Sequence, residues 1–164
     1  LDGVDALFSP GVGPSSDFED YFARIGVQCH LLDGSVDGPA HPNALFEFDQ
    51  RFLGPHTYSD HVGINEWLES RMADGNDYVM QMDIEGAEWS VLEQVNEDLL
   101  RRFRIVIIEF HDLGRRLTRR DSFQHATEVI QKMSSHFAAV HFHPNNYSPN
   151  VRYRGLNLHR FLMS

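Results

Sequence analysis

Polar and apolar positions along the chain follow two periods. Apolar runs too short for a helix, each closed by glycine or an acid, read as buried strands at residues 6–8, 27–32, 44–48, 78–82 and 104–112. Between them, apolar residues recur at steps of three and four, the spacing of one buried helical stripe. Phe18, Phe22 and Ile25 form the first such stripe, ending at Gly26, and Ile64, Trp67, Leu68 and Met72 form a second, ending at 74–76. Trp89, Leu92, Val95 and Leu99 form a third, and Phe123, Ala126, Ile130, Met133 and Phe137 a fourth. Ser16-x-x-Glu19 and Asp121-x-x-Gln124 have the spacing of capping boxes at two of the helix starts. Gly38, Pro39 and Pro42 forbid a long helix after the second strand, so that crossover is abbreviated.

Strands that alternate with helices build a mostly parallel sheet with helices on both faces, and in such sheets ligands collect at the carboxyl ends of the strands. The four β-branched residues Ile105 to Ile108 predict burial on both faces, as in the middle of the sheet. Residues 138–143 and 151–163 read as two strands with no helix between them, an antiparallel hairpin at one sheet edge.

Candidate chemistry sits at the strand ends. Gly11-Val12-Gly13 follows the first strand and precedes a helix, a cradle in which backbone amides can approach a carboxylate or phosphate. Asp33, followed by Gly34, ends the second strand about 20 residues later, the spacing at which an acid accepts hydrogen bonds from a ribose; Asp-Gly also suits a simple turn. Asp83 ends an apolar strand, where an acid must find a partner or a ligand. Glu85 and Glu88 follow at a helix start, which attracts acids in any case. Glu109, His111 and Asp112 close the 104–112 strand, although a lone histidine there can equally be a satisfied core residue. Arg115, Arg116, Arg119 and Arg120 make a basic run that could grip an anionic substrate. His141 and His143 share a strand face and could bind a metal with Glu109 or His159, but no metal-ligand spacing supports this.

Composition narrows the class. At 164 residues the chain reads as one domain, spanning 1–164, with enough length to bury a core without staples. A net charge of -10 and a single lysine, Lys132, argue against a nucleic-acid partner. No apolar run reaches the length of a membrane span, and no charged-then-apolar leader opens the chain, which starts at Leu1 as a trimmed piece of a longer protein would. The one cysteine, Cys29, excludes an internal disulfide and a thiolate zinc site, and makes a reducing, cytoplasmic compartment the simpler expectation.

Gly11-Val12-Gly13 after a strand, Asp33 after the next, Met82-Asp83-Ile84-Glu85-Gly86-Ala87-Glu88-Trp89-x-x-Leu92, and Ile108-Glu109-Phe110-His111 together resemble the FkbM-type S-adenosylmethionine-dependent methyltransferases. The Asp-x-Glu-Gly-Ala-Glu segment is the most specific part of the likeness, and the turn His143-Pro144-Asn145-Asn146 is similar to a late segment of some members. The resemblance implies a Rossmann-like seven-stranded sheet with the final hairpin inserted antiparallel. It implies that Gly11, Val12 and Gly13 lie against the methionine end of the cofactor, that Asp33 with Gly34 receives the ribose, and that Asp83 faces the sulfonium and the substrate. Ser9-Pro10 departs from the wider class, which usually carries an acid at that strand end.

A sulfonium methyl is already activated, so such an enzyme gains mainly from alignment. A hydroxyl acceptor, such as a sugar or natural product, also needs a base, for which Asp83, Glu85 and His111 are the candidates. A divalent ion bridging Asp83, Asp112 and Asn145 would resemble the catechol-type enzymes, but those residues match no ligand pattern, and a metal-free reaction is the expectation. A nicotinamide-dependent oxidoreductase would use the same sheet, yet the third glycine of its fingerprint is missing. A non-catalytic cofactor-binding module is the bland alternative.

Overall fold

The computed structural model describes residues 1–73, 75 and 77–143, together with the backbone of 151–153 and 156–158. The chain divides into two compact units, Leu1–Glu109 and Phe110–Ser164, each described by itself.

The first unit is built on a parallel sheet. In chain order it contains β1 (Ala6–Pro10), α1 (Asp17–Arg24), β2 (Gln28–Leu32), β3 (Phe46–Asp49), β4 (Phe52–Gly54), β5 (His61–Gly63), α2 (Ile64–Glu69), β6 (Tyr78–Met82), α3 (Glu88–Gln94), α4 (Glu97–Leu100) and β7 (Phe103–Ile108). The sheet order is β3-β2-β1-β6-β7, every pair parallel, while β4 and β5 form a small parallel ladder of their own. The chain therefore winds outward from β1 to β3 and then restarts on the other side of β1 with β6. That reversal makes the gap between the ends of β1 and β6 a topological switch point.

Alternation along the strands splits the core in two. Leu7, Cys29, Leu31 and Val79 face α1 and pack with Val12, Phe22, Ala23 and Val27. On the opposite face Phe8 is the hub, its ring 5.3 Å from Trp67, 5.5 Å from Tyr78 and 5.7 Å from Phe103 in edge-on contacts. Trp67 and Trp89 are fully buried.

Several sequence expectations change here. The main sheet has five strands among the described residues, not seven. Among the described residues no strand pairs with β7 beyond β6, and Ile105 and Ile107 are 36 % and 45 % exposed, so the β-branched run is not buried on both faces. Phe18 and Ile25 of the first stripe are exposed, whereas Phe22 is buried together with Glu19 and Asp20. The third stripe is buried as read, but its helix breaks into α3 and α4 at Val95, where Asn96 caps α4 by accepting the Asp98 amide. The second stripe's helix, α2, stops at Glu69; Asp74 and Asn76 lie outside the described residues. No helix joins β2 to β3, as Gly38, Pro39 and Pro42 require.

The second unit contains α5 (Leu113–Thr118) and α6 (Arg120–His136), with Ala126 and Val129 buried along α6. Arg115 and Arg116 of the basic run lie in α5 and Arg120 opens α6, with Arg119 between the two helices. Arg119 is the residue before α6 and makes no side-chain cap; Asp121 lies within the first turn, so the expected capping box is absent. Residues 138–143 form no strand, and Val140 is 94 % exposed. The hairpin expected between 138–143 and 151–163 is therefore not found. Instead β8 (Val151–Tyr153) and β9 (Leu156–Leu158) pair antiparallel as a two-stranded ladder separate from the main sheet. Among the described residues no helix is long and apolar enough to cross a membrane.

Candidate active site

The ends of the five sheet strands form a row, because the ladders continue one residue past the strands. Asp33 N–H donates to Asp49 O at 3.1 Å, Gly11 N–H to Leu32 O at 2.8 Å, Asp83 N–H to Pro10 O at 3.1 Å and Glu109 N–H to Met82 O at 2.9 Å. Asp49, Asp33, Gly11, Asp83 and Glu109 consequently stand side by side along one edge, four carboxyl groups flanking a glycine turn.

That turn needs its glycines for two different reasons. Gly11 has φ +84°, and a Cβ there would fall 1.6 Å from the Asp83 carbonyl oxygen, so only glycine lets the ends of β1 and β6 close up. Gly13, at φ +61°, would direct a Cβ into open space, which leaves its backbone open to a ligand. Val12 between them is buried in the core under α1.

Asp33 ties this turn to the end of β2. Its carboxylate accepts the Gly13 amide at 2.8 Å, the Ser35 amide at 2.7 Å and the Ser35 hydroxyl at 2.6 Å. Burial alone would raise its pKa, but these three hydrogen bonds outweigh it and hold the carboxyl below the usual value. A carboxylate has about four acceptor positions. One therefore remains for a ligand hydroxyl. At the end of β3, Arg51 forks onto Asp49 at 2.8 and 2.6 Å, which depresses the Asp49 carboxyl, and Arg71 adds a contact at 3.0 Å.

After β6 the chain turns sharply. Glu85 has φ +55° and Gly86 φ +105°, so Glu85 stands in a left-handed turn before α3, whereas Glu88 opens the first turn of the helix as expected. Asp83 is half-buried and Glu85 exposed. Glu88 is completely buried and accepts the Ile84 and Gly86 amides at 3.1 Å each, which makes it the clasp that shapes this turn. His111 is half-buried and belongs to the second unit, as does Asp112, which stands at φ +57° before α5 and lies 3.5 Å from Arg115. His141 and His143 are exposed with their rings stacked 6.0 Å apart. Asn145, Asn146 and His159 lie outside the described residues.

Ser16 and Glu19 do not cap α1 reciprocally. Ser16 Oγ accepts the Ala40 amide at 3.0 Å, and Glu19 turns inward to the Ser9 hydroxyl, which also contacts Gln81 at 2.9 Å. Burial raises the Glu19 pKa against the lowering effect of Ser9. The inward turn of Glu19 is a pairing that a capping-box spacing concealed. Cys29 is fully buried, and burial pushes its thiol up to about 12.

None of the curated proteins and none of the solved structures compared with the chain matches it. The family model of the methyltransferase FkbM domain matches residues 11–137, from the first glycine of the turn to the residue after α6. The glycine turn, the Asp83–Glu88 clasp and the parallel strand ends all lie inside that match, and the chain belongs to the FkbM methyltransferase family.

Proposed function

We infer that this methyltransferase uses S-adenosylmethionine and methylates a hydroxyl of a small molecule, a sugar or natural product. One observation carries this reading: the Gly11–Gly13 turn, the Asp33 carboxylate and Asp83 stand together at the switch point of a parallel sheet. The residues suit the cofactor. Gly13 opens onto space for its amino-acid end, and Asp33, with Gly34 beside it, keeps one acceptor position for a ribose hydroxyl. Gly11 and Val12 hold that turn against β6 and the core.

The cofactor supplies a methyl group already activated by its sulfonium. The protein's part is to align the acceptor oxygen with that methyl and to exclude water, worth several orders of magnitude through orientation alone. Asp83, placed against the glycine turn, faces the reacting atoms. Asp83, Glu85 and His111 are the groups from which the base that takes the hydroxyl proton is drawn. This reading treats the two units as one methyltransferase domain, with a metal-free reaction in a cytoplasmic setting.

Calorimetric titration with S-adenosylmethionine and S-adenosylhomocysteine, with and without magnesium, tests the proposal. Micromolar binding independent of magnesium is expected, lost in Asp33→Ala, while Asp83→Ala abolishes turnover or binding. Absence of binding in the unaltered chain overturns the cofactor assignment. Binding without methyl transfer to any hydroxyl acceptor leaves a cofactor-binding module. Tighter binding with magnesium points instead to a metal-assisted site.

A further inference from the structure

A cavity of about 480 Å³ opens against the first residues of β1, β2 and β6, at the amino ends of the strands. It lies at the opposite end of the sheet from the candidate active site. Five residues of extended chain, roughly 16 Å, separate Tyr78 on the cavity wall from Asp83. Asp5, Gln28, His30, Glu47 and Arg71 line it with Tyr78. Parallel register gathers them, since Ala6 pairs with both Gln28 and Tyr78, and His30 pairs with Glu47. Cys29 and Leu31 face α1, so Gln28 and His30 fall on the other face of the sheet, where the His30 ring lies 4.9 Å from that of Phe8. Two polar side chains thus stand on a face whose hub is aromatic.

The hydrogen bonds of this wall leave acceptors over. His30 is 7 % exposed, and its Nδ1 lies 3.1 Å from Glu47 Oε2. A carboxylate only accepts, so that contact puts the imidazole proton on Nδ1 and leaves Nε2 as an acceptor. Burial lowers the His30 pKa more than Glu47 raises it, and Arg71 adds to the lowering, so the ring is held neutral. Nε2 has no hydrogen bond among the described residues and stays accessible, and the Gln28 side-chain amide has none either. Asp5 Oδ2 accepts the Asp77 amide at 3.2 Å. Arg71 is already taken, with Asp49 at 3.0 Å, Ser70 at 2.9 Å and Glu47 at 3.4 Å.

We propose that this cavity is a second ligand site, which takes the ammonium group of a small primary amine, with His30 Nε2 accepting one of its N–H bonds and the Asp5 and Glu47 carboxylates supplying the countercharge. It uses none of the residues assigned to the cofactor cradle. An ammonium meets both demands of the wall: it donates, which a buried acceptor requires, and its charge opposes that of the carboxylates. A neutral hydroxyl would donate without balancing the charge, and an anion would do neither. Asp5, His30 and Glu47 do not converge closely enough to share a metal ion. A cleft of several hundred Å³ with a ring face and a few convergent polar groups is the usual receptor for a small organic molecule.

Two isosteric probes test this, butylamine and butanol, which differ only in ammonium against hydroxyl. Each is titrated into the full chain and followed by NMR of the histidine ring nitrogens, the His30 signals being identified by their loss in His30→Gln. Butylamine is expected to shift His30 Nε2 and to bind about tenfold more tightly than butanol, the worth of one charge-assisted hydrogen bond. Asp5→Asn, at the exposed rim, keeps the acceptor for the Asp77 amide and removes one charge. It should weaken butylamine several-fold and leave butanol unchanged. If His30→Gln does not fold, the ratio of the two affinities in the unaltered chain and in Asp5→Asn, measured by calorimetry, decides the matter alone. Equal affinity for the two probes, no binding of butylamine at millimolar concentration, or shifts confined to the other histidines would overturn the site and leave His30 Nε2 to water. An affinity ratio unchanged in Asp5→Asn would likewise remove the carboxylates from it.

Discussion

Single residues at the strand ends carry more than their types reveal. Gly11 was legible as a turn glycine, but its closest neighbour, the Asp83 carbonyl, lies 72 residues away in sequence and could not be read from the turn. Gly11→Ala combines a backbone clash with a left-handed φ, and a loss of about 3 kcal/mol is expected in urea unfolding. A loss below about 1 kcal/mol would mean that the ends of β1 and β6 are not held this closely. Glu19 shows the opposite error, where a spacing suggested a cap and the side chain turned inward. Ser9 Oγ donates to the Glu19 carboxyl, and burial nevertheless raises the Glu19 pKa. Because its folded pKa is raised, the stability it contributes is fully present below the usual value of 4.5 and is lost as pH rises through the folded value. Glu19→Gln, which cannot ionise, should therefore gain stability relative to the unaltered chain at pH 8 compared with pH 4. A difference that stays constant across that range would show that Glu19 is ionised in the fold.

At the scale of elements, periodicity was the reliable signal and neighbours were not. The Trp89, Leu92, Val95 and Leu99 stripe is buried as its spacing predicts, because three-four recurrence survives a break that realigns two helices on one face. The break itself depends on Asn96 accepting the Asp98 amide, a local bond no apolar pattern encodes. Asn96→Ala should cost about 1 kcal/mol without altering the far-ultraviolet spectrum of the rest of the chain. The run at Ile105 to Ile108 reads like a central strand because residue type records β preference, whereas sheet position is set by distant strands. With one face of β7 uncovered, Ile107→Thr should change stability by less than about 0.5 kcal/mol, against about 3 kcal/mol for Met80→Ala in the buried β6. Comparable losses at the two positions would place β7 inside a covered sheet. Residues 138–143 failed as a strand for the same reason, since alternation needs a partner ladder to become one. The short β4–β5 ladder went unread because six residues between parallel strands is far below the usual crossover, and its polar segment looked like loop.

For the whole molecule, a division of labour follows from where the groups lie. The cradle and Asp33 belong to the first unit, while His111 and the arginines of α5 belong to the second, and the family match runs through both. Arg115, Arg116, Arg119 and Arg120 lie within six residues of a chain of net charge -10, and the proposed grip on an anionic acceptor group is tested there. If the two units act as one domain, substitutions in the second should change acceptor handling and spare the cofactor. Arg115→Ala combined with Arg116→Ala is expected to raise KM about tenfold for phenolic or sugar acceptors bearing a carboxylate or phosphate, with neutral acceptors unchanged. S-adenosylhomocysteine affinity should stay as in the unaltered chain. His111→Asn, under the same assays, should lower kcat and remove the acidic limb of its pH profile if His111 is the base, again at constant cofactor affinity. Loss of cofactor binding in these variants would show that the second unit builds the cradle as well. Unchanged turnover in both would confine the reaction to the first unit, with Asp83 or Glu85 as its base.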